Sequence, residues 1–193
     1  LSYDSATGLG YGIGDAKGIT GGRRAFNGAL VERGIGGPFI ARWPGKIAAG
    51  KVDKTSVLSA VDLLLTFCEL GNVKLPKSYQ SDGVSQVSTL MGQGNKLRKK
   101  PIFWRMSAPW PANQAKPDHW VAYAVVSEQW KLVLNKDQSH VELFDLVNDP
   151  LESSDLAAKN LETVKRMKNL LQKWLSSIPV KPTGDVFSNL REN

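Results

Sequence analysis

The 193-residue sequence has little of the chemistry that forms crosslinks, spans membranes or performs acid–base catalysis. Its one cysteine, Cys68, excludes an internal disulfide. Its two histidines, His119 and His140, stand apart in the sequence, and a lone histidine is more often structural or solvent-exposed than catalytic. No apolar run approaches the roughly 20 residues that cross a bilayer, and no signal-peptide pattern opens the chain. We therefore expect no membrane association.

Positive charge is the main signal in the composition. With 25 Lys and Arg against 18 Asp and Glu, the net charge is +7, which favours anionic partners such as sulfated glycans or nucleic acids. No basic stripe interleaved with regularly spaced aromatics is present, so we expect no nucleic-acid binding. Part of the excess lies in KLRKK, residues 96–100, where it would simply be solvated. The sequence begins at Leu1 rather than Met, and we expect a processed product or a part of a longer protein.

Pattern and composition divide the chain into two parts. Residues 1–22 contain seven glycines and little periodicity, which predicts a loop. PFIARW, residues 38–43, is typical of a buried strand that ends at a Pro-Gly corner. The segment 75–85 is rich in turn residues, and the polar KLRKKP that follows reads as a linker. We therefore place a boundary near residue 97, with domains at 1–97 and 98–193.

One helix is predicted in the first part. Ser59 with Asp62 resembles a capping box, and apolar residues then recur at helical spacing until Gly71. We expect the apolar face to be buried and its thiol to be packed rather than reactive. That face consists of Val61, Leu64, Leu65 and Cys68.

Beyond residue 97 the apolar period becomes two, which is typical of strands. Four short runs predict an antiparallel meander: PIFW, WVAYAVVS at 120–127, WKLVL at 130–134 and VELF at 141–144. The intervening NKDQS fits a hairpin loop. A long amphipathic helix that ends at Pro179 completes this part. Its apolar stripe consists of Val164, Met167, Leu171, Trp174, Leu175 and Ile178.

Two motifs resemble the sulfatase family. The segment TGGRRAFNGALVERGIGGPFIARWPGKI, residues 20–47, is similar to the family pattern TGGLRGxKxxLxEGGIRVPFIxRWPGKI and aligns with it without a gap. QWKLVLNKDQSHVELFDLVNDPLESSDLAAKN, residues 129–160, resembles the family's C-terminal signature DWKLVxNxDGxxVELYDLxxDPxExxNLA. The resemblance covers about residues 20–178, and the chain is similar to the arylsulfatase and N-acetylgalactosamine-6-sulfatase group.

The resemblance implies an alkaline-phosphatase-like α/β fold that is present here only in part. The chain would hold the end of the large domain and then a small antiparallel sheet with its packing helix. By the same resemblance, residues 38–43 and the apolar helix face would pack on segments that this chain does not contain. We therefore expect an exposed apolar surface that causes self-association.

The resemblance also implies a mechanism whose main parts are absent from these residues. Sulfatases attack sulfur with a formylglycine made from the cysteine of a CxPSR motif, beside a bound calcium ion. Here Cys68 lies in CELG, and neither CxPSR nor the paired aspartates with a DN dipeptide occur. We therefore expect no cofactor and no metal ligand in this chain, with calcium and formylglycine belonging to the complete family enzyme.

What remains is the segment that holds the sulfate. The family's sulfate-holding lysine falls on Asn27, which can donate a hydrogen bond but carries no charge. Arg23 and Arg24 could lean over the same anion, or they could be ordinary exposed charges. Glu32 matches a family glutamate that we expect to orient the turn. His119 precedes the small sheet on a loop that in the family can face the substrate.

Aromatic residues leave a similar choice open. Trp104, Trp110 and Trp120 could stack on a glycan, although packing is the commoner use of such residues. His140 falls in the predicted hairpin turn. Two hypotheses follow for the whole chain: the C-terminal part of a sulfuric ester hydrolase acting on sulfated sugars, inactive alone, or a non-catalytic module that binds sulfated glycans.

Overall fold

A computed structural model of the chain describes residues 30–31, 35–93, 97–106 and 120–179. The loop predicted at 1–22 lies outside these residues. Within them, no helix is both long and apolar enough to cross a bilayer. The helices are α1 (Leu63–Leu70), α2 (Val87–Leu90) and α3 (Leu161–Ser177), with 3₁₀ turns at Ala60–Asp62 and Ala157–Lys159. The strands are β1 (Ile102–Arg105), β2 (Tyr123–Ser127), β3 (Trp130–Leu134) and β4 (Val141–Asp145).

The four strands form the antiparallel meander that the period of two predicts. Their order in the sheet is β1-β2-β3-β4. A tight turn joins β2 to β3, and Glu128 takes a left-handed conformation there with φ of 56°. Ser127 then pairs with Trp130, and Tyr123 pairs with Leu134. Because successive side chains of a strand point to opposite faces, this register sorts the apolar residues onto two sides of the sheet.

One face of the sheet packs against α3. Phe103 of β1 stacks on Trp174 of the helix, with ring centroids 5.1 Å apart and planes 7° from parallel. Around this pair the strands and the helix share one buried cluster, which confirms the predicted helical stripe. The cluster consists of Val125, Leu132, Leu134, Leu143, Met167 and Leu171.

The other face of the sheet packs against residues that precede it in the sequence. We call this second buried group the anchor cluster, and it consists of Leu30, Val31, Val121, Ala124, Val133 and Phe144. Ile35, Trp104, Met106 and Trp120 pack around it. The sheet therefore has an apolar core on both sides.

The strand predicted at residues 38–43 does not form, so that prediction is wrong. Ile40 is 88% exposed, and no strand pairs with this segment among the described residues. A β-strand needs a neighbour to satisfy its backbone groups, and an apolar run alone does not supply one. The corner after it is confirmed: the amides of Lys46 and Ile47 donate to the Trp43 carbonyl, and Gly45 has φ of 78°.

Helix α1 forms where predicted, but its apolar face is largely exposed. Val61 is 42% and Leu64 46% exposed, and Cys68 is only partly buried. The expectation of a buried apolar face is therefore wrong for the described residues. The expectation, implied by the resemblance, that this face is exposed in the present chain is confirmed.

The buried side of α1 is polar and is organised by Asp62. The Asp62 carboxylate accepts hydrogen bonds from the amides of Ser59 and Val84, both at 2.9 Å. Arg98 Nη1 lies 2.8 and 2.7 Å from its two oxygens, and both side chains of this ion pair are almost fully buried. Asp62 thus joins the start of α1 to the loop before α2 and to the residues that lead into β1.

The same loop approaches α1 so closely that only glycine fits. A Cβ atom on Gly83 would overlap the Val61 carbonyl oxygen and would lie 2.8 Å from the Asp62 Cα. Next to this contact, the Gln86 amide donates to the Thr66 hydroxyl at 3.0 Å. The backbone of the SDG segment therefore sits directly on the helix start.

Candidate functional site

The residues predicted to contact sulfate or sugar lie outside the described residues. These are Arg23, Arg24, Asn27 and His119, together with Glu32. Whether they contact an anion therefore stays a prediction. The described residues next to them in the sequence do, however, have defined positions.

Those neighbours meet in the anchor cluster. Leu30 and Val31 follow Asn27 by three and four residues, and Val121 follows His119 by two. All three are buried together against the same face of the sheet. Two segments that are far apart in the sequence are therefore fixed at one place, and each carries a predicted site residue.

The sheet topology adds a third segment at this end of the molecule. The register places Arg105, Tyr123, Leu134 and Val141 in one row across the four strands. The β1–β2 connection, which contains His119, and the β3–β4 hairpin, residues 135–140, both leave from this row. The hairpin therefore lies at the same end of the sheet as the residues that flank His119.

At this end a tryptophan and a histidine are stacked. The rings of Trp120 and His140 have centroids 3.9 Å apart and planes 11° from parallel. Trp120 packs on the anchor cluster, whereas the His140 side chain is 54% exposed. His140 Nε2 is 3.7 Å from a Glu142 carboxylate oxygen. Beside the stack is an open surface depression lined by Trp120, Asn135, Lys136 and Asp137.

The hairpin that forms this depression is held in a defined shape. The Asn135 side chain accepts a hydrogen bond from the His140 amide at 3.0 Å and donates to the Ser139 hydroxyl at 3.1 Å. Gln138 takes a left-handed conformation with φ of 63°. Lys168 of α3 donates to the Gln138 carbonyl at 3.2 Å, so the tip of the hairpin is also fastened to the helix.

Sequence reasoning placed His140 in a hairpin turn and left Trp120 open between stacking and packing. In the structure Trp120 does pack on the core, and it also lines the depression with His140 on its ring. The signal that could have found the pair is the strand register. Once the tight turn between β2 and β3 is known, extending their pairing outward puts position 120 beside the hairpin.

The charged residues of the C-terminal motif have structural roles. Lys131 lies within β3 and is fully buried, and its Nζ is 2.7 Å from Oε1 of the equally buried Glu152. Asp155 accepts a hydrogen bond from the amide of Leu143 at 2.9 Å, which fastens the segment after β4 to the strand edge. These residues stabilise the sheet rather than form a reactive group.

Two aspartates of the same motif are turn acceptors. Burial alone would raise the pKa of Asp145, but hydrogen bonds from Asn148, Gln129 and Val147 outweigh it and lower that pKa. For Asp149, burial is likewise outweighed by hydrogen bonds from Ser153, Ser154 and Leu151, and the pKa is lowered. Both carboxylates are therefore charged at neutral pH and suited to accept hydrogen bonds rather than to transfer protons.

The described residues do not fit the metal or the nucleophile of a sulfatase. Across 30–31, 35–93, 97–106 and 120–179, no group of three or more His, Cys, Asp and Glu could hold a metal ion. Cys68 lies within α1 in the sequence CELG, not in CxPSR.

Relatives of known sequence match most of the chain. A family model for the C-terminal region of N-sulphoglucosamine sulphohydrolase matches residues 25–178. A sulfatase of Formosa agariphila is 28% identical over 79% of this chain, and an N-acetylgalactosamine-6-O-sulfatase of Bacteroides thetaiotaomicron is 24% identical over 75%. The chain spans only 29% and 28% of the length of these two relatives.

Solved structures show the same fold. A sulfatase from the Bacteroides thetaiotaomicron locus for metabolism of multiple glycosaminoglycans has a TM-score of 0.59 at 24% identity, over 79% of this chain and 32% of its own. Ps i-CgsB, solved with a neocarrahexaose, has a TM-score of 0.55 at 25% identity, over 68% of this chain and 27% of its own. The predicted fold class, an alkaline-phosphatase-like α/β sulfatase fold present in part, is confirmed. The chain belongs to the sulfatase family, whose C-terminal portion it matches.

Proposed function

We propose that this chain forms the C-terminal part of a sulfuric ester hydrolase that acts on sulfated sugars. The observation that carries the proposal is the anchor cluster, because it fixes the segments that lead from Asn27 and from His119 against one sheet face. Three residues of chain span at most about 10 Å. The backbones of Asn27 and His119 must therefore lie within about that distance of the anchor cluster. A relative that acts on N-acetylgalactosamine 6-sulfate by name, matched over 75% of this chain, supports the substrate class.

The proposed contribution of this chain is to hold the sulfated sugar. In this proposal the Asn27 amide donates to a sulfate oxygen, and Arg23 and Arg24 supply the charge that Asn27 lacks. A guanidinium can meet two oxygens of one sulfate group with its planar fork. His119 contacts the sugar from the β1–β2 connection. The nucleophile and the calcium ligands are supplied by residues outside these 193.

The division of the chain near residue 97 is part of the proposal. Residues 1–97 belong to the large α/β domain, and residues 98–193 form the small subdomain. The buried Asp62–Arg98 ion pair crosses this boundary and ties the two parts together. We infer that the pair keeps the start of α1 in a fixed position relative to the residues that lead into β1.

Sulfate release tests the proposal. The reading frame that contains this chain is sequenced upstream of Leu1 and expressed whole, and inorganic sulfate released from N-acetylgalactosamine 6-sulfate is measured. We expect release from the whole product and none from the 193-residue chain alone, with or without calcium. A matched variant with the cysteine of any upstream CxPSR changed to alanine should release none.

A non-catalytic glycan-binding module is the second candidate, and asparagine at the family's lysine position favours it. A reading frame that starts near Leu1 with no CxPSR would support the module and contradict the hydrolase. In either case, the parent chain should bind a sulfated sugar more tightly than its unsulfated form. That preference should be smaller in Arg23→Ala and Arg24→Ala. Equal binding by these variants and the parent would show that the arginines are ordinary surface charges.

A further inference from the structure

We propose that the depression between Trp120 and the β3–β4 hairpin is a subsite for an uncharged sugar ring, the neighbour of the sulfated sugar in an oligosaccharide. The inference rests on the proposed function, because it assigns a second position on the same substrate. It names residues that the sulfate-holding segment does not include: Trp120, His140, Asn135, Lys136 and Asp137.

The aromatic pair supplies the apolar part of such a subsite. Trp120 and His140 are stacked with their planes 11° from parallel, and Trp120 also lines the depression. A pyranose ring has an apolar face of C–H groups that packs against flat aromatic surfaces, as apolar groups do generally. His140 covers one face of Trp120, so the surface open to a sugar is the exposed side of His140, whose side chain is 54% exposed, together with the part of Trp120 that lines the depression. Trp120 is fixed from behind by the anchor cluster, so a sugar that contacts it does not have to order it.

The polar rim favours hydroxyl groups over a sulfate. Lys136 supplies ammonium donors, and Asp137 supplies carboxylate acceptors. The pKa of Asp137 is lowered by hydrogen bonds from Ser139, so this carboxylate is charged at neutral pH and offsets the Lys136 charge. Glu142, 3.7 Å from His140, adds a further negative charge close by. Among the described residues, the charges that line or adjoin the depression therefore have no positive excess with which to attract an anion.

The hairpin holds these groups in place before any ligand binds. The Asn135 carbonyl oxygen accepts the His140 amide hydrogen, which fixes the histidine at the foot of the loop. Lys168 and Gln172 of α3 bond Gln138 at the tip, at 3.2 and 2.9 Å. A binding surface that is already ordered loses less entropy when a ligand docks.

The location connects the depression to the proposed substrate. The hairpin and the β1–β2 connection leave the sheet from the same row of residues, and Trp120 directly follows His119. One sugar ring at the depression and its neighbour near His119 would therefore be adjacent units of one chain. This arrangement accounts for an aromatic stack and a neutral rim at the end of the sheet from which the β1–β2 connection leaves.

The test compares two sugars that differ by one neutral ring. The 193-residue chain is titrated with N-acetylgalactosamine 6-sulfate and with the same sugar linked to a galactose, and binding is followed by the NMR signal of the Trp120 indole N–H. We expect the disaccharide to bind about five- to tenfold more tightly, the gain that one aromatic contact provides. His140→Ala should remove that gain, and His140→Phe should keep it because the flat ring remains. Lys165→Ala, a charge change on the exposed face of α3, should alter neither affinity.

Each result decides the inference. Equal affinity of the two sugars for the parent, binding of neither, or a disaccharide gain that survives in His140→Ala would overturn it. The folding of His140→Ala is checked by its thermal midpoint against His140→Phe. Sulfate release from the monosaccharide by the protein that the whole reading frame encodes tests the proposed function separately, since that substrate has no second ring. Release with the same KM for both sugars would retain the hydrolase and reject the subsite.

Discussion

Residues 35–93 and residues 102–179 use the same kinds of side chain in opposite ways. In the sheet and α3, apolar side chains fill both faces, and the charged pair Lys131–Glu152 is enclosed within that apolar core. In the region around α1, the buried centre is the polar group of Asp62, while Ile40 and Phe67 face solvent. The sheet and α3 can be stable by their own packing. The region around α1 depends on the buried hydrogen bonds and the ion pair of Asp62 and leaves an apolar surface uncovered.

The two motifs that resemble the sulfatase family, residues 20–47 and 129–160, differ in the same way. Charged residues of the C-terminal motif hold the edge of the sheet, whereas the motif around residues 20–47 leads into the region with the exposed surface. The C-terminal motif thus contributes to stability, whereas the sulfate binding that we propose belongs to the motif around residues 20–47. Five substitutions or changes of condition test the comparison, in order of decreasing expected effect.

Lys131→Met should cause the largest loss of stability. It removes the cation from a fully buried pair, and breaking such a pair costs about 3–5 kcal/mol. Urea unfolding followed by tryptophan fluorescence measures the loss. Adding Glu152→Gln should recover at least half of the lost stability, because it removes the carboxylate that Lys131→Met leaves without an opposite charge. A loss below about 1 kcal/mol would mean that the pair is not enclosed as described.

Asp62→Ala should open the region around α1 and leave the sheet intact. It leaves the Arg98 guanidinium buried without its carboxylate, at a cost of about 3 kcal/mol, and it frees the amides of Ser59 and Val84. Hydrogen exchange should show faster exchange in 59–86 and unchanged protection in β2 and β3. If both regions lose protection together, the distinction between them fails.

Gly83→Ala should destabilise the same region by about 1–3 kcal/mol, because the added methyl group meets the Val61 carbonyl and the backbone must move. Gly37→Ala is the matched control, since its Cβ would have nothing within 4 Å. The free energy of unfolding of both variants is compared with that of the parent. Equal values for the two variants would show that the loop does not rest on the helix start.

The exposed apolar surface should cause self-association at micromolar concentration. Phe39 and Ile40 are exposed near the Trp43 corner, and Phe67 is exposed on α1. Sedimentation velocity over a range of concentrations should show a dimer or larger species, and Ile40→Ser with Phe67→Ser should reduce it. A single monomer peak at every concentration would contradict this expectation.

Acid should reduce stability modestly through the turn aspartates of the sheet. The pKa values of Asp145 and Asp149 are lower in the folded protein than in the unfolded chain. Their contribution is therefore complete above about pH 4 and is lost as the pH falls through the folded values. Asp145→Asn should lower the thermal midpoint at pH 7 and flatten its fall between pH 5 and 2. An unchanged slope would assign the acid sensitivity to other groups.

Most of the sheet could be predicted because its short runs of β-branched and aromatic residues are bounded by turn residues, and α3 could be predicted because its apolar residues recur with a period of 3.6. The absence of a strand at 38–43 could not be predicted, since an apolar run does not reveal whether a neighbouring strand is present. Asp62 was visible as a capping residue, but its ion pair joins it to Arg98, 36 positions along the chain, and local patterns do not report such contacts. The Trp120–His140 stack was missed for the same reason.

The link from Gln138 to α3 has a consequence for how binding is detected. Lys168 and Gln172 hold the hairpin tip, and the helix residues Met167 and Leu171 fill the core on the far side of the sheet. A ligand that binds only when the hairpin has this shape must, by thermodynamic linkage, also favour the docked helix. Protection of α3 amides from hydrogen exchange would then increase with ligand concentration, although the ligand never contacts the helix. Helix α3 would act as a reporter of occupancy at the depression.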